Sequence, residues 1–265
     1  MNTILRKSLP LLALGAFSLS ACAQSPAPAP VAAAAGAPAS AQAAAAPGTA
    51  AGRVTAALRK IDPNASPERI GPAPVAGFQQ VIIDGQVVYV SNDGKYLMQG
   101  VLYDIDKQRD AGAAALAEVR KELVARIPLK DRIVFSPENP KHTVTVFTDV
   151  ECGYCRKMHS EIDQYMAQGI AVQYVAFPRM GPASEDFRKM EAVWCSNDRR
   201  QALTRAKQDK TVVSKSCTNP VAMQYRIGLQ AGLTGTPMVL AADGTQVGGY
   251  VPAARLRQLL DKIDP

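Results

Sequence analysis

TVTVFTDVECGYC, residues 143–155, joins a strongly β-forming run to two cysteines that are separated by two residues. The first six residues of this segment are all β-branched or aromatic, which is typical of a buried strand. A helical pattern then runs to about Gln168, so Cys152 is predicted to open a helix. Cys155 follows one turn later on nearly the same face, within reach to form a disulfide with Cys152.

This placement of Cys152 favours thiol–disulfide exchange. The attacking species in that reaction is a thiolate, and a free cysteine holds little of it at neutral pH. Unpaired N–H groups and the positive end of the helix dipole stabilise an anion at a helix N-terminus. We therefore predict that Cys152 is the nucleophile and that Cys155 is the resolving thiol. Glu151 would raise the pKa of Cys152 unless its carboxylate points away.

Two other roles for the cysteine pair are an inert structural disulfide and half of a zinc site. A zinc site needs four ligands, usually with a second close pair, whereas Cys195 and Cys217 are far apart in sequence. His159 is the only nearby histidine, and we predict that it lies on the helix surface without an acid–base role. Asp149 is predicted to cap the helix rather than to accept the proton of Cys155. Redox work is favoured, because C-x-x-C between a strand and a helix is typical of it.

A second informative element is Gly235-Thr236-Pro237, at the start of a predicted strand. Proline is costly inside a sheet unless the preceding peptide bond is cis or the strand is at an edge. A cis bond would turn the backbone of Thr236 toward the cysteines, where it can pair with an extended peptide. The alternative is an ordinary turn proline. Beside the cysteine pair we favour the first interpretation, and we assign Gly153, Tyr154, Thr236 and Pro237 to the active site and its substrate-binding surface.

Outward from the cysteines, the chain divides into segments with different patterns. Residues 129–265 follow the order strand, helix, strand, helices, hairpin, helix, which is the thioredoxin arrangement. Residues 111–128 predict a linker helix that ends at Pro128. Residues 53–110 predict a small antiparallel sheet around an Asp84-Gly85 turn, which is too slight to be stable alone, and dimerisation would cover its face. The predicted fold class is α+β.

The N-terminus has the pattern of an export signal, residues 1–22, followed by a disordered Ala/Pro-rich tether, residues 23–52. Leu19-Ser20-Ala21-Cys22 favours lipidation of Cys22, and ordinary cleavage after Ala23 is the alternative. Either outcome places the protein outside the cytosol. Setting Cys22 aside leaves four of the five cysteines, enough for two bridges.

The composition favours a soluble protein over a nucleic-acid-binding one. The net charge is +7, but the basic residues are scattered, aromatic residues are only 6%, and no run of five like charges occurs. Pairs such as Arg199-Arg200 and Lys207 with Lys210 are predicted to be solvated. We predict no cofactor, no metal and no nucleic-acid partner.

The motifs carry a resemblance to a known family. Val146-Phe147-Thr148-Asp149 before Cys152-Gly153-Tyr154-Cys155, the downstream Thr234-Gly235-Thr236-Pro237 and the hairpin Gly85-Gln86-Val87-Val88-Tyr89-Val90-Ser91 resemble the DsbC/DsbG family of bacterial periplasmic disulfide isomerases. The similarity runs from about Pro67 to the C-terminus. Gly153, where the DsbG branch carries proline, favours the DsbC branch. The lipobox and the tether are not part of the usual soluble form of this family.

The resemblance implies an architecture and partners. It implies a V-shaped homodimer of cystatin-like N-terminal domains (residues 53–110), linker helices, and thioredoxin-like catalytic domains (residues 129–265) with a helical insert. It implies a structural disulfide between Cys195 and Cys217 within the insert. It also implies an active pair kept reduced by a membrane electron donor of the DsbD type.

The function expected from motif and resemblance is isomerisation, with reduction, of non-native disulfides in misfolded exported proteins. The expected location is the bacterial periplasm, with membrane tethering through a lipidated Cys22. One alternative is a reductase or oxidase dedicated to a single pathway. The other is a holdase chaperone in which the cysteines are secondary.

Overall fold

The structure, a computed structural model, describes Ala46, residues 48–213 and residues 216–264. The predicted export signal with Cys22, and most of the predicted tether, lie outside these residues. In the described part of the chain, no helix has both the length and the apolar character that a bilayer crossing requires.

The N-terminal part combines one helix with a four-stranded antiparallel sheet. Helix α1 (Ala50–Ile61) begins inside the segment predicted as tether, because the Thr49 hydroxyl accepts a hydrogen bond from the Gly52 N–H at 3.0 Å. The sheet has the order β1-β2-β3-β4, and its strands are β1 (Arg69–Pro72), β2 (Phe78–Ile83), β3 (Gln86–Ser91) and β4 (Leu97–Gln99). The hairpin predicted at Asp84-Gly85 is confirmed, with both residues at positive φ as a tight two-residue turn requires.

The predicted linker helix is α2 (Ala113–Ala125), which follows a small hairpin of β5 (Tyr103–Asp104) and β6 (Arg109–Asp110). Its buried residues Val119 and Leu123 join a hydrophobic cluster with Phe147 and Ile227 of the C-terminal part. The apolar face of helix α2 therefore packs against the C-terminal part.

The turn of the β2–β3 hairpin also contacts the C-terminal part. Ile82 belongs to the same hydrophobic cluster as α2. Gly85 and Gly232 approach each other so closely that a side chain on either would overlap the backbone of the other. Both glycines have positive φ, so the contact needs glycine for space and for conformation.

The C-terminal part is built on a five-stranded sheet of order β11-β10-β8-β9-β7. These strands are β7 (Ile133–Phe135), β8 (His142–Thr148), β9 (Ile170–Ala176), β10 (Met238–Leu240) and β11 (Gln246–Gly248). The central strand β8 pairs with β9 in parallel and with β10 antiparallel. Most of its residues are buried, which confirms the predicted strand.

Helices cover both faces of this sheet. They are α3 (Gly153–Ser160), α4 (Ile162–Ala167), α5 (Glu185–Trp194), α6 (Arg199–Lys207), α7 (Val221–Gln230) and α8 (Ala253–Ile263). Trp194, at the end of α5, is fully buried. The helix predicted to run from the cysteines to Gln168 is divided at Glu161 into α3 and α4. Strand β7 was not predicted, because three apolar residues carry no periodicity.

The fold is α+β: an N-terminal helix-and-sheet unit, a helix, and a thioredoxin-like unit with three helices, α5 to α7, between β9 and β10.

Candidate active site

Cys152 and Cys155 lie where the central strand β8 passes into helix α3. Cys152 is the N-cap residue of α3, with extended backbone angles, and Cys155 is in the first turn. Both are free thiols and are nearly inaccessible, at 4% and 1% exposure. The Cys152 S–H donates to the carbonyl oxygen of Thr236 at 3.1 Å, so the predicted Thr236-Pro237 segment faces the cysteines. The peptide bond between Thr236 and Pro237 is cis.

The environment shifts the two thiols in opposite directions. The pKa of Cys152 is lowered to about 5, chiefly by the hydrogen bond from the Cys155 thiol, against the opposing effect of burial. The Thr236 side chain, the backbone N–H of Cys155 and the charge of Arg179 lower it further. Burial, and then the hydrogen bond to Cys152, raise the pKa of Cys155. Near neutral pH, Cys152 is therefore the thiolate and Cys155 holds its proton.

After Cys155, the Thr236 hydroxyl is the next group that lowers the pKa of Cys152. Its oxygen is buried and makes no hydrogen bond of regular geometry with any residue that the structure describes. With Cys152 protonated, the sulfur donates to the Thr236 carbonyl instead. Ionisation of Cys152 removes that donor, and the unpaired hydroxyl then becomes the group able to donate to the sulfur.

Glu151, the neighbour that threatened to raise the pKa of Cys152, is neutralised locally. One carboxylate oxygen lies 2.9 Å from a guanidinium nitrogen of Arg156, and the other lies 2.8 Å from Nζ of Lys189. Its charge is shared between these two cations. Two charge-assisted contacts hold the side chain in that orientation.

Asp149 does not cap helix α3, so that prediction is wrong. Its buried carboxylate accepts the N–H of Glu151 at 2.8 Å through Oδ1. Oδ2 accepts the backbone N–H of Arg179 at 3.1 Å and its Nε at 2.8 Å. The carboxylate therefore braces the loop before the helix and fixes Arg179, whose charge lowers the pKa of Cys152.

His159, predicted to lie on the helix surface, is buried. Its ring nitrogens lie 3.2 Å from the Tyr174 hydroxyl and 2.9 Å from the Thr204 hydroxyl. Burial, and then the nearby charge of Lys207, lower the pKa of His159 to about 3, so it is neutral at physiological pH. The prediction is wrong because helix α6 covers this face of α3, and helical spacing alone does not show which neighbours a face will meet.

Lys207 was predicted as a solvated surface charge and is instead 5% exposed, at the end of α6. Arg179 was not singled out at all, because it follows strand β9 in a loop without a motif. Local sequence carries no signal for either role. Both depend on which segments the fold brings up to the cysteines.

The surface around Cys152 is open and partly apolar. Tyr154 is 67% exposed and stacks on Tyr250, with ring centroids 6.1 Å apart. A Cβ at Gly153 would meet no atom within 4 Å, so this position borders free space. Met180 is also exposed, next to Arg179.

Cys195 and Cys217 are joined by a disulfide, with their Cα atoms 5.6 Å apart. The bond links the C-terminal end of α5 to the segment that precedes α7. The pairing is the one that the family resemblance implies. Within residues 48–213 and 216–264, no three His, Cys, Asp or Glu side chains converge as a metal site would require.

A cysteine pair between the central strand and a helix, faced by a cis-proline segment on this sheet, defines a thioredoxin-like thiol–disulfide oxidoreductase. Residues 129–264 match a family model described as a thioredoxin-like domain. Residues 34–113 match one described as the N-terminal domain of disulfide bond isomerase protein.

Sequence relatives identify the family within this class. It is 39% identical over 195 residues to the thiol:disulfide interchange protein DsbC of Escherichia coli K12, covering 73% of this chain and 80% of that protein. DsbC of Haemophilus influenzae is 35% identical over 195 residues, covering 73% and 83%. A crystal structure of a disulfide interchange protein from Neisseria gonorrhoeae is 29% identical, covers 51% of this chain and 96% of its own, and has a TM-score of 0.46. The chain belongs to the DsbC family of thiol:disulfide interchange proteins.

Proposed function

We propose that the protein isomerises, and also reduces, non-native disulfides in exported proteins in the bacterial periplasm, with Cys152 and Cys155 as its catalytic residues. The observation that carries this proposal is the unequal pair: an acidic Cys152 thiol at the start of α3, and a more deeply buried Cys155 thiol that keeps its proton. In such a pair, one thiol attacks the substrate disulfide and the other releases the substrate from the mixed disulfide.

In the first step the Cys152 thiolate attacks one sulfur of a substrate disulfide. A bond forms between Cys152 and that sulfur, the substrate S–S bond breaks, and the second substrate sulfur leaves as a thiolate. In isomerisation, another substrate thiolate attacks the mixed disulfide and expels Cys152 unchanged. In reduction, Cys155 loses its proton and displaces the substrate, and the pair becomes a disulfide.

The surroundings of Cys152 suit an unfolded polypeptide. The Thr236 carbonyl lies beside the sulfur and offers a backbone acceptor to an extended chain. The exposed side chains of Tyr154 and Met180 supply apolar contact without a closed pocket. Substrates defined by an accessible disulfide, rather than by a sequence, fit this surface.

A homodimer fits the N-terminal part. Among the residues that the structure describes, strand β4 is an edge of the four-stranded sheet, so its outer backbone groups can pair with another strand. The exposed apolar side chains around it are Tyr96, Leu97, Met98 and Val101. We propose that a second copy covers this edge.

Three further elements of the proposal concern the cell. A membrane electron donor of the DsbD type would return the Cys152–Cys155 disulfide to thiols. The disulfide between Cys195 and Cys217 would stay intact and hold the helices between β9 and β10. A lipid on Cys22 would tether the protein to the membrane.

A second function, that of a pathway-specific reductase, is favoured by one observation. Reduction needs Cys155 to become a thiolate, and the buried cation Lys207 lowers its pKa against the effect of burial. A reduction potential near that of thioredoxin would support this second function, and a much more oxidising one would support the isomerase.

The deciding experiment is the recovery of activity by scrambled, multi-disulfide ribonuclease. The parent protein should restore activity, Cys152→Ala should not, and Cys155→Ala should retain part of the isomerisation but lose reduction. A parent protein that restores nothing would contradict the proposal. If Cys152→Ala kept full activity in preventing aggregation and in complementation, a holdase function would replace it.

A further inference from the structure

A lysine is buried beneath the two cysteines. Lys207 is the last residue of α6 and is 5% exposed. Its Nζ donates to the Thr148 hydroxyl at 2.8 Å and lies 3.4 Å from the Asp149 carbonyl oxygen. In the described residues no carboxylate lies within salt-bridge distance of it. Burying an ammonium without a counter-ion is energetically costly, and such a group is more often kept for function than for stability.

Thr148 connects this lysine to the resolving thiol. Thr148 is the last residue of β8 and is fully buried. Its hydroxyl oxygen accepts a hydrogen bond from Lys207. The same side chain lowers the pKa of Cys155. The charge of Lys207 also lowers the pKa of Cys155, in opposition to burial. Lys207 and Thr148 are therefore the two groups that would stabilise a Cys155 thiolate most.

The proton of Lys207 is itself mobile near neutral pH. Burial lowers the pKa of Lys207 to about 8, although the charges of nearby thiols and of Asp149 raise it. The titratable or charged groups that face it from the surrounding elements are Asp149, Cys152, Cys155, Arg156, His159 and Tyr174. His159 stays neutral beside it, because its pKa is about 3. Lys207 and Cys155 are thus expected to titrate as a coupled pair.

We propose that Lys207 is a positioning residue for Cys155: acting through the Thr148 hydroxyl, it stabilises the Cys155 thiolate and sets how long a mixed disulfide on Cys152 persists. This inference rests on the proposed function. It adds to that function a residue that biases the protein toward reduction, since fast resolution leaves a bound substrate little time to rearrange.

The chemical step balances within the site. Lys207 first loses one proton to solvent and becomes a neutral amine. In the mixed disulfide, the Cys155 thiol then passes its proton to the Thr148 oxygen while the Thr148 hydroxyl proton passes to that amine. The Cys155 thiolate attacks the sulfur of Cys152, and a disulfide forms between them. The bond from Cys152 to the substrate breaks, and the substrate sulfur leaves with the electron pair and takes a proton from solvent. The substrate sulfur is reduced and the Cys155 sulfur is oxidised.

The test is a single-turnover reaction of the reduced protein with oxidised glutathione, quenched in acid and followed by intact mass. Two rates are measured: formation of the glutathione adduct on Cys152, and its conversion to the internal disulfide. In Lys207→Met, adduct formation should stay within about twofold of the parent. Conversion at pH 7 should slow at least tenfold, equivalent to about 1.4 kcal/mol in the barrier. Lys210→Met, which removes an exposed lysine three residues away, should match the parent in both rates.

The pH profile separates this role from a merely structural one. In the parent, the conversion rate should rise with pH and level off near pH 8, where the coupled pair loses its first proton. In Lys207→Met the rate should continue to rise through pH 10, so the gap between the two proteins narrows. Parent-like conversion in Lys207→Met, or parallel profiles, would overturn the inference.

A second pair of variants covers the case in which Lys207→Met does not fold. Thr148→Val removes the bridging hydroxyl at nearly constant shape, and Thr148→Ser keeps it. Conversion should be slow in the first and near the parent rate in the second, and equal rates would overturn the inference. A parent that forms no adduct on Cys152 would overturn the proposed function itself, and this inference with it.

Discussion

At the scale of single residues, the two thiols differ because of what each one contacts. The sequence suggested that the end of helix α3 would make Cys152 acidic. In the structure, the hydrogen bond from the Cys155 thiol lowers the pKa of Cys152 the most, and the backbone N–H of Cys155 in the helix lowers it by less. Cys155 is more deeply buried, and burial, followed by its hydrogen bond to Cys152, raises its pKa. The low pKa of Cys152 therefore depends on the presence of Cys155.

The first prediction concerns alkylation of Cys152. Its rate with iodoacetamide should be half-maximal near pH 5, the pKa of the thiol. Cys155→Ala removes the main hydrogen bond to the thiolate, so the midpoint should rise by about one to two pH units. The measurement is the pH dependence of alkylation, with the modified cysteine located by peptide mass.

Ser160→Ala, at the far end of α3, is the matched control and should leave the midpoint unchanged. An unchanged midpoint in Cys155→Ala, or a parent midpoint above pH 8, would contradict the assignment of Cys152 as a stabilised thiolate.

The second prediction links the same thiol to stability. Its folded pKa of about 5 lies below its ordinary value of 9.0, so ionisation stabilises the reduced folded state. That contribution is full above pH 9 and is lost as the pH falls from 9 to 5. In urea unfolding of protein with a reduced active site, the parent's advantage over Cys152→Ala should grow from pH 5 to pH 9. A difference that is constant or falls over this range would refute the prediction.

At the scale of elements, helix α7 shows packing and helix propensity in competition. Gly228 lies in the last turn of α7 and is buried. A Cβ there would lie 2.7 Å from Cε2 of the Phe177 ring and 3.4 Å from Phe147. The glycine thus lets α7 approach the end of β9, where Phe177 follows the strand.

The third prediction is that Gly228→Ala destabilises the protein although alanine is the better helix former. Overpacking costs about 1–3 kcal/mol, and the gain in helix propensity returns about 1 kcal/mol. The free energy of unfolding should therefore fall by up to about 2 kcal/mol in urea titration. Gly71→Ala, at a position with no atom within 4 Å of the added Cβ, should change it by less than about 0.5 kcal/mol. A more stable Gly228→Ala would show that α7 can move away from the ring.

The helices α5 and α6 illustrate how an insertion changes the residues beneath it. Thr204 of α6 contacts His159 and so covers that side chain of α3, and Lys207 of α6 contacts Thr148 at the end of β8. The disulfide between Cys195 and Cys217 ties α5 to the segment before α7. The polar groups under the active site therefore come from a region that lies 45 to 59 residues away in sequence.

At the scale of the whole molecule, the N-terminal part supplies an open sheet edge and the C-terminal part supplies the thiols. Met98 and Leu97 are 43% and 37% exposed on β4, one of the two edge strands of the four-stranded sheet in the described structure. Exposed apolar residues on a free edge are an aggregation hazard for a monomer and a recognition surface for a dimer.

The fourth prediction is that Met98→Lys weakens the dimer. The parent should have the mass of a dimer in light scattering after size-exclusion chromatography. A charge on the edge strand should shift it toward the monomer, because an unpaired ammonium would be buried in the interface. Val213→Lys changes a residue that is 90% exposed on the C-terminal part, and should leave the mass unchanged. A parent monomer, or a Met98→Lys protein that remains fully dimeric, would contradict this assembly.

Local patterns in the sequence were enough for most of the elements, although not for β7, and for their order along the chain. The β-branched run of β8, the Asp84-Gly85 hairpin and the α2 pattern each depend on neighbours within a few residues, and each is confirmed. The family and the α+β fold also followed from motifs that are short and contiguous. Boundaries were less well predicted, since Thr49 starts α1 earlier than composition suggested and Glu161 interrupts the helix after the cysteines.

Only the tertiary structure decided the surroundings of the thiols. Whether a polar side chain is buried depends on which distant segment packs over it, and neither spacing nor composition carries that information. Thus the sequence named Cys152 and Cys155, but their opposite pKa shifts, the bracing role of Asp149 and the burial of His159 and Lys207 came from contacts between β8, α3 and α6. Local order is encoded locally, whereas charge and proton affinity are set by burial and by neighbours that the fold brings together.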